Sequence, residues 1–131
     1  MITDFEIHNF RGVKSLRLKD ITRLNLFLGY NNCGKSSVLE ALYLFCDPSH
    51  PVNEIQINRA RHYLKADSKS LQLIFYGLDY TIPILFHGNM NDGEERTVEI
   101  SYYEKEQTKT DLNSLTLTNH NGYNSCGLLN I

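Results

Sequence analysis

The feature that most constrains this chain is the segment at residues 29–36, which reads Gly-Tyr-Asn-Asn-Cys-Gly-Lys-Ser. An apolar run of strand length precedes it at 24–28, and the apolar side chains of 37–45 fall at helical spacing after it. The order strand, glycine-rich loop, helix is the order that a G-x-x-x-x-G-K-S loop requires. The sequence therefore predicts an α/β fold in which a buried strand at 24–28 leads into a phosphate-binding loop. The alternative is an ordinary glycine-rich turn between a strand and a helix.

The residue types of this loop fit a polyphosphate with a magnesium ion. Gly29 and Gly34 let the backbone fold back so that its N–H groups point inward, and the start of a helix adds the positive end of its dipole. Lys35 is expected to reach the β- and γ-phosphates, the Ser36 hydroxyl to bind Mg²⁺, and the backbone of Ser37 to follow toward the α-phosphate. The predicted site for ATP and Mg²⁺ comprises Gly29, Asn31, Asn32, Cys33, Gly34, Lys35 as the catalytic candidate, Ser36 as the metal ligand, and Ser37.

The N-terminal residues predict a β-hairpin. Apolar and polar residues alternate at 2–8 and again at 16–19, and the segment 9–12 between them has the composition of a turn. This hairpin is expected to lead into the buried strand that precedes the phosphate-binding loop.

The second half of the chain predicts an antiparallel sheet. Residues 81–86, 97–102 and 114–118 each alternate with period two, and the segment 88–93 between the first two is rich in turn-forming residues. Pro83 suggests that 81–86 is an edge strand, because proline cannot donate to a ladder. The tail at 120–131 is too rich in Asn and Gly to assign.

Between these parts the sequence predicts helices. Two prolines, at 48 and 51, end the first helix, after which Asn53 could cap a helix at 53–65. A further helix is predicted at 69–77, although alternation at 71–75 also allows a strand. The sequence thus predicts a single partial domain with parts at 1–46, 47–80, 81–119 and 120–131.

Two sequence stretches resemble one ATPase group. The chain opens on I-x-x-F-x-I-x-N-F-R-G and continues with N-x-F-L-G-Y-N-N-C-G-K-S-S-V-L-E-A-L. This resembles the SMC, RecF and OLD group of ABC-like ATPases, strongly over 1–46 and weakly over 55–86. The segments 57–61 and 75–79 look more like OLD-like AAA family ATPases than like the coiled-coil SMC members. The resemblance implies a P-loop NTPase of the ABC-ATPase head type, of which this chain is the N-terminal lobe.

The resemblance also implies roles for residues outside the loop. It places Arg11, in the N-F-R turn, near the phosphates or the base of the nucleotide; the other interpretation is a surface turn residue. Glu40 is expected either on the helix surface or in contact with residues of the site, without acting as a general base. The family hydrolyses ATP between two heads, acts on DNA in repair or in defence, and carries a magnesium-organising Asp and a water-positioning Glu in its C-terminal lobe. From this we expect these 131 residues to bind nucleotide without turnover and to form a homo-oligomer through uncovered apolar edges.

Three other patterns carry weaker hypotheses. The apolar run 73–79 ends in Asp79 and could be read as a magnesium-organising strand, but Gly77 interrupts it and no Glu follows. The T-K-T-D at 108–111 resembles a guanine-reading motif without the buried strand that should precede it. The basic residues between 59 and 65 could face DNA, although the solvated face of a helix is the better interpretation at a pI of about 6.2.

Composition agrees with a cytoplasmic domain. The chain has 131 residues, 41% of them hydrophobic, and a formal net charge of −2. No apolar stretch is long enough for a membrane span, the N-terminus is not a signal peptide, and the three cysteines show no zinc-site spacing. We therefore read the chain as the ATP-binding lobe of an OLD/RecF-like ATPase. The alternative is a non-catalytic nucleotide-binding or interaction module that a partner chain completes, and a P-loop kinase or GTPase is a distant third.

Overall fold

A computed structural model describes residues 1–47 and 72–103, together with the backbone of residues 114–119 and 127–128. Several sequence predictions lie outside these residues: the helix at 53–65, the basic residues between 59 and 65, the T-K-T-D segment, and the first residues of the helix at 69–77. In the described part, no helix is long and apolar enough to cross a membrane.

The described strands form one antiparallel sheet of six strands in the order β2-β1-β3-β4-β5-β6. This confirms the predicted N-terminal hairpin and the predicted antiparallel sheet. The strands are β1 (Ile2–Phe10), β2 (Val13–Leu18), β3 (Ile84–Met90), β4 (Glu95–Tyr103), β5 (Ser114–Asn119) and β6 (Gly127–Leu128).

Alternation along the strands decides which face of the sheet is covered. Phe5 and Ile7 of β1 are fully buried, whereas Glu6 between them is half-buried on the opposite face. The paired strand β3 continues the same pattern, with Phe86 fully buried and His87 half-buried. One face therefore carries the apolar core, and the other is polar.

Helix α1 (Lys35–Cys46) covers the apolar face. Near its C-terminus, the ring centroid of Phe45 lies 5.0 Å from that of Phe5. A Cβ atom built on Gly88 of β3 would lie 2.5 Å from Cζ of Phe45, so the helix rests directly on the strand backbone there. The prediction that a turn begins at residue 88 is wrong: β3 continues to Met90, because Gly88 pairs with Phe5 of β1 and with Arg96 of β4.

The predicted buried strand at 24–28 is wrong for this structure. The segment belongs to no strand, and Leu24, Leu26 and Leu28 are 88%, 79% and 82% exposed. Only Phe27 packs against the core. The physical reason is that a strand needs a neighbour for its backbone hydrogen bonds, and no described strand lies beside this segment.

Two further predictions need correction between 72 and 84. The helix predicted at 69–77 is α-helical in its described part only at Gln72: Phe75 has an extended backbone and bridges Phe10, and a single 3₁₀ turn follows at Tyr76–Leu78. The predicted edge strand is also wrong, because β3 lies between β1 and β4. Pro83 does not disturb the ladder since it precedes the first residue of β3, Ile84.

The magnesium-organising hypothesis for Asp79 is wrong as well. No strand ends there; its Oδ1 accepts hydrogen bonds from the backbone N–H of Thr81, at 3.1 Å, and from the Thr81 hydroxyl, at 2.5 Å. Asp79 thus has a local role, which is to stabilise the turn before β3.

Candidate phosphate-binding site

The loop at 29–34 has the tight backbone that its glycines predict. A Cβ atom on Gly29 would lie 2.7 Å from Sγ of Cys33, so the loop closes on itself at this point. Asn32 and Gly34 have left-handed backbones, with φ of 65° and 93°. Asparagine and glycine are the residues that adopt this conformation at least cost, so the local sequence specifies the curvature of the loop.

Helix α1 begins directly after the loop. Gly34 is the N-cap residue, no side chain caps the helix, and the carbonyl of Gly34 accepts from the N–H of Val38 at 3.0 Å. The N–H groups of Lys35, Ser36 and Ser37 therefore precede the first helical hydrogen bond. Such N–H groups, at the positive end of the helix dipole, form an anion-binding surface.

Lys35 folds back over the loop that precedes it. Its Nζ donates to the carbonyl oxygens of Gly29, at 2.7 Å, and Tyr30, at 2.6 Å, and lies 3.5 Å from Sγ of Cys33. The ammonium group is thereby held beside the helix N-terminus. A positive charge fixed in this place can bind a second anionic group beyond the one that the helix N–H groups bind.

These elements enclose a cleft of about 220 Å³. Gly29 and Cys33 do not line it, but both contact Lys35 as described above. Ser36 is exposed and Ser37 is buried, so the Ser36 hydroxyl is the accessible one of the pair. The donor set of N–H groups, an ammonium and a hydroxyl fits a polyphosphate with a hard cation. The residues that line the cleft are Asn31, Asn32, Gly34, Lys35, Ser36 and Ser37.

Arg11 does not lie on the surface, so the interpretation as a surface turn residue is wrong. Its Nε is 2.6 Å from Oε2 of Glu40 on α1, and the two side chains are only 6% and 16% exposed. Glu40 accordingly does not point into solvent from the helix. Sequence reasoning missed this pair, because nothing in the local pattern links two residues that the fold brings together across the core.

Among the described residues, no group of three or more His, Cys, Asp or Glu side chains forms a metal site. Since the Asp79 hypothesis is wrong, Ser36 is the metal-ligand candidate from the sequence that remains, and its role stays a prediction.

Comparison with known proteins defines the class to which this fold and loop belong. Residues 1–127 match the family described as AAA ATPase domain. Since this match covers nearly the whole chain, the chain belongs to that family and is a P-loop NTPase domain. The resemblance predicted from the sequence, to the N-terminal region of an AAA/ABC-type ATPase, is confirmed.

The chain is similar to three proteins of bacteria and archaea. It is 36% identical over 113 residues to an ATP/GTP phosphatase of Helicobacter pylori, a match covering 83% of this chain and 30% of that protein. It is 26% identical over 117 residues to the DNA replication and repair protein RecF of Ruminiclostridium cellulolyticum, covering 89% and 27%. An uncharacterized protein of Methanocaldococcus jannaschii is 49% identical over 45 residues, covering 34% and 20%. The chain thus spans less than a third of each of these relatives. No solved structure matches it.

Proposed function

We propose that this chain binds Mg-ATP in the cleft at the N-terminus of α1, as the N-terminal lobe of an OLD/RecF-like ATPase head in the cytoplasm. The observation that carries the proposal is the position of Lys35, whose Nζ is held by two loop carbonyls beside three helix N–H groups. The helix N–H groups bind phosphate oxygens, the ammonium offsets the charge of the β- and γ-phosphates, and the Ser36 hydroxyl provides one ligand to Mg²⁺.

For these 131 residues we propose binding rather than hydrolysis. Transfer of the γ-phosphoryl group needs a carboxylate that organises magnesium and a residue that positions water. Asp79, the candidate that the sequence suggested, is engaged with Thr81 in a turn.

The relatives include a protein named for ATP/GTP phosphatase activity and one named for DNA replication and repair. On this basis we propose that the whole protein is an ATPase that acts on DNA, in repair or in defence.

Ser36→Ala tests the magnesium part of this proposal. The substitution removes one oxygen ligand of the cation, so we expect the affinity for Mg-ATP to fall by about tenfold, or roughly 1.4 kcal/mol, while the affinity for ATP in EDTA stays the same. Titration calorimetry with and without Mg²⁺ measures both values. Ser15→Ala, at an exposed position of β2, is the matched control. Equal losses of affinity with and without Mg²⁺ would show that Ser36 does not act through the cation.

A second candidate function is an interaction module that a partner head or a second copy completes. The three exposed leucines at 24, 26 and 28 favour it, because they form an apolar row that no described strand pairs with, directly before the loop at 29–34. Such a row has the character of an edge that pairs with another chain.

Leu26→Lys tests this second function. If the leucine row mediates self-association, light scattering should show the purified chain as a dimer or larger assembly, and the lysine variant should dissociate at concentrations at least about tenfold higher, because pairing would bury its charge. The control is Leu39→Lys, the same change at an exposed leucine of α1. A monomeric wild-type chain, or an equal effect of both substitutions, would exclude self-association through this row.

A further inference from the structure

The buried ion pair between Arg11 and Glu40 joins the β1–β2 turn to the helix that carries the phosphate-binding N–H groups. We propose that Glu40 is a positioning residue of the phosphate site: it holds the Arg11 guanidinium behind the N-terminus of α1, so that the charge balance of this pair sets the affinity for the polyphosphate. This inference rests on the proposed function and deepens it, because it assigns a determinant of affinity outside the loop.

The Arg11 end of the pair is held by its backbone. The N–H of Arg11 donates to the carbonyl of Ile74 at 2.7 Å, and its φ of 50° lies in the left-handed region. The preceding residue, Phe10, forms a bridge with Phe75. Asn9 donates from Nδ2 to the carbonyl of Ile82 at 2.5 Å. The turn is thus anchored to the segment before β3. Because a left-handed backbone is unfavourable for arginine, these contacts are what hold Arg11 in this conformation.

The Glu40 end lies on the side of α1 that carries the site. Glu40 follows Ser36 by four residues and Ser37 by three, so the three side chains share one face of the helix. Four residues correspond to a rise of about 6 Å along the axis, and helical side chains tilt toward the N-terminus. The ion pair therefore lies about one helical turn behind the N–H groups that would bind phosphate.

Charge at this distance acts on a bound polyphosphate. Both side chains are largely shielded from water, so salt screens them less than it screens surface charges. Removal of the carboxylate leaves a net positive charge behind the site, and removal of the guanidinium leaves a net negative one. The two changes should move nucleotide affinity in opposite directions, whereas loss of a purely structural contact would weaken binding in both cases.

The experiment compares Glu40→Gln, Arg11→Gln and the double variant by calorimetric titration with Mg-ATP and by thermal unfolding. We expect Glu40→Gln to bind Mg-ATP about three- to tenfold more tightly and Arg11→Gln about three- to tenfold more weakly than the wild type, from Coulomb energies at about 10 Å in a medium of intermediate dielectric. The two effects should offset one another in the double variant. Both single variants should unfold at lower temperature, since each breaks a buried pair.

A second set of variants tests the proposal even if Glu40→Gln or Arg11→Gln prevents folding. Glu40→Asp and Arg11→Lys retain the charges, so each should recover most of the affinity change of its neutral counterpart. Weaker binding in both neutral variants, unchanged affinity in both, or no recovery in the conservative ones would overturn the positioning role. Failure of the wild-type chain to bind Mg-ATP would instead overturn the proposed function, and this inference with it.

Discussion

Lys35→Ala should lower the affinity for Mg-ATP by about 100-fold, which makes it the largest binding effect that we expect from one substitution. Within the part of the chain that the structure describes, the Lys35 ammonium lies directly against the loop, with Nζ held by the carbonyls of Gly29 and Tyr30. Charge-assisted hydrogen bonds contribute roughly 1.5–3 kcal/mol each, and Lys35 is expected to bridge two phosphates. Titration calorimetry on the folded variant measures the loss.

The matched control is Lys14→Ala, which removes an equal charge from an exposed position of β2. It should leave the affinity close to that of the wild type, because a surface lysine is screened by water and salt. If Lys35→Ala bound Mg-ATP as tightly as Lys14→Ala, the loop would not be the nucleotide site.

Gly88→Ala should destabilise the domain by about 1–3 kcal/mol, the cost typical of overpacking a core. The new methyl group would lie 2.5 Å from Cζ and 2.9 Å from Cε1 of Phe45, and that ring is fully buried against Phe5. The guanidinium of Arg96 also lies over the ring, 5.6 Å from its centroid, and limits its movement. Chemical denaturation followed by circular dichroism gives the change in unfolding free energy.

Two variants separate this mechanism from a general effect of replacing glycine. Gly12→Ala places the same methyl group where no atom lies within 4 Å, so it should change stability little. Phe45→Leu in the Gly88→Ala background shortens the opposing side chain and should restore part of the lost stability. Equal losses in Gly12→Ala and Gly88→Ala, or no recovery in the double variant, would mean that the close packing of α1 on β3 is not the cause.

The parts of the fold that the sequence predicted correctly are those with a local physical cause. Alternation of apolar and polar residues is a consequence of strand geometry, and it identified the N-terminal hairpin and the strands β4 and β5. The backbone of the loop at 29–34 is equally local, because glycine at 29 and 34 and asparagine at 32 specify its curvature. The helix that follows begins at Lys35, within one residue of the loop.

The predictions that failed concern residues whose environment depends on distant parts of the chain. The row of leucines at 24, 26 and 28 has the composition of a buried strand, but burial needs a neighbouring strand that no short-range pattern can supply. From the sequence, Gly88 is predicted to lie in a turn, whereas in the structure it lies in a strand directly under the ring of Phe45.

The sequence by itself therefore determined the class of the protein, the tight backbone of the loop at 29–34 and the antiparallel character of the sheet, since each follows from the residue types and their spacing. Only the tertiary structure decided that α1 lies on the backbone at Gly88 and that Arg11 is buried against Glu40. Both contacts join residues that are far apart in the chain, and their energy depends on distances that the packing of helix on sheet sets.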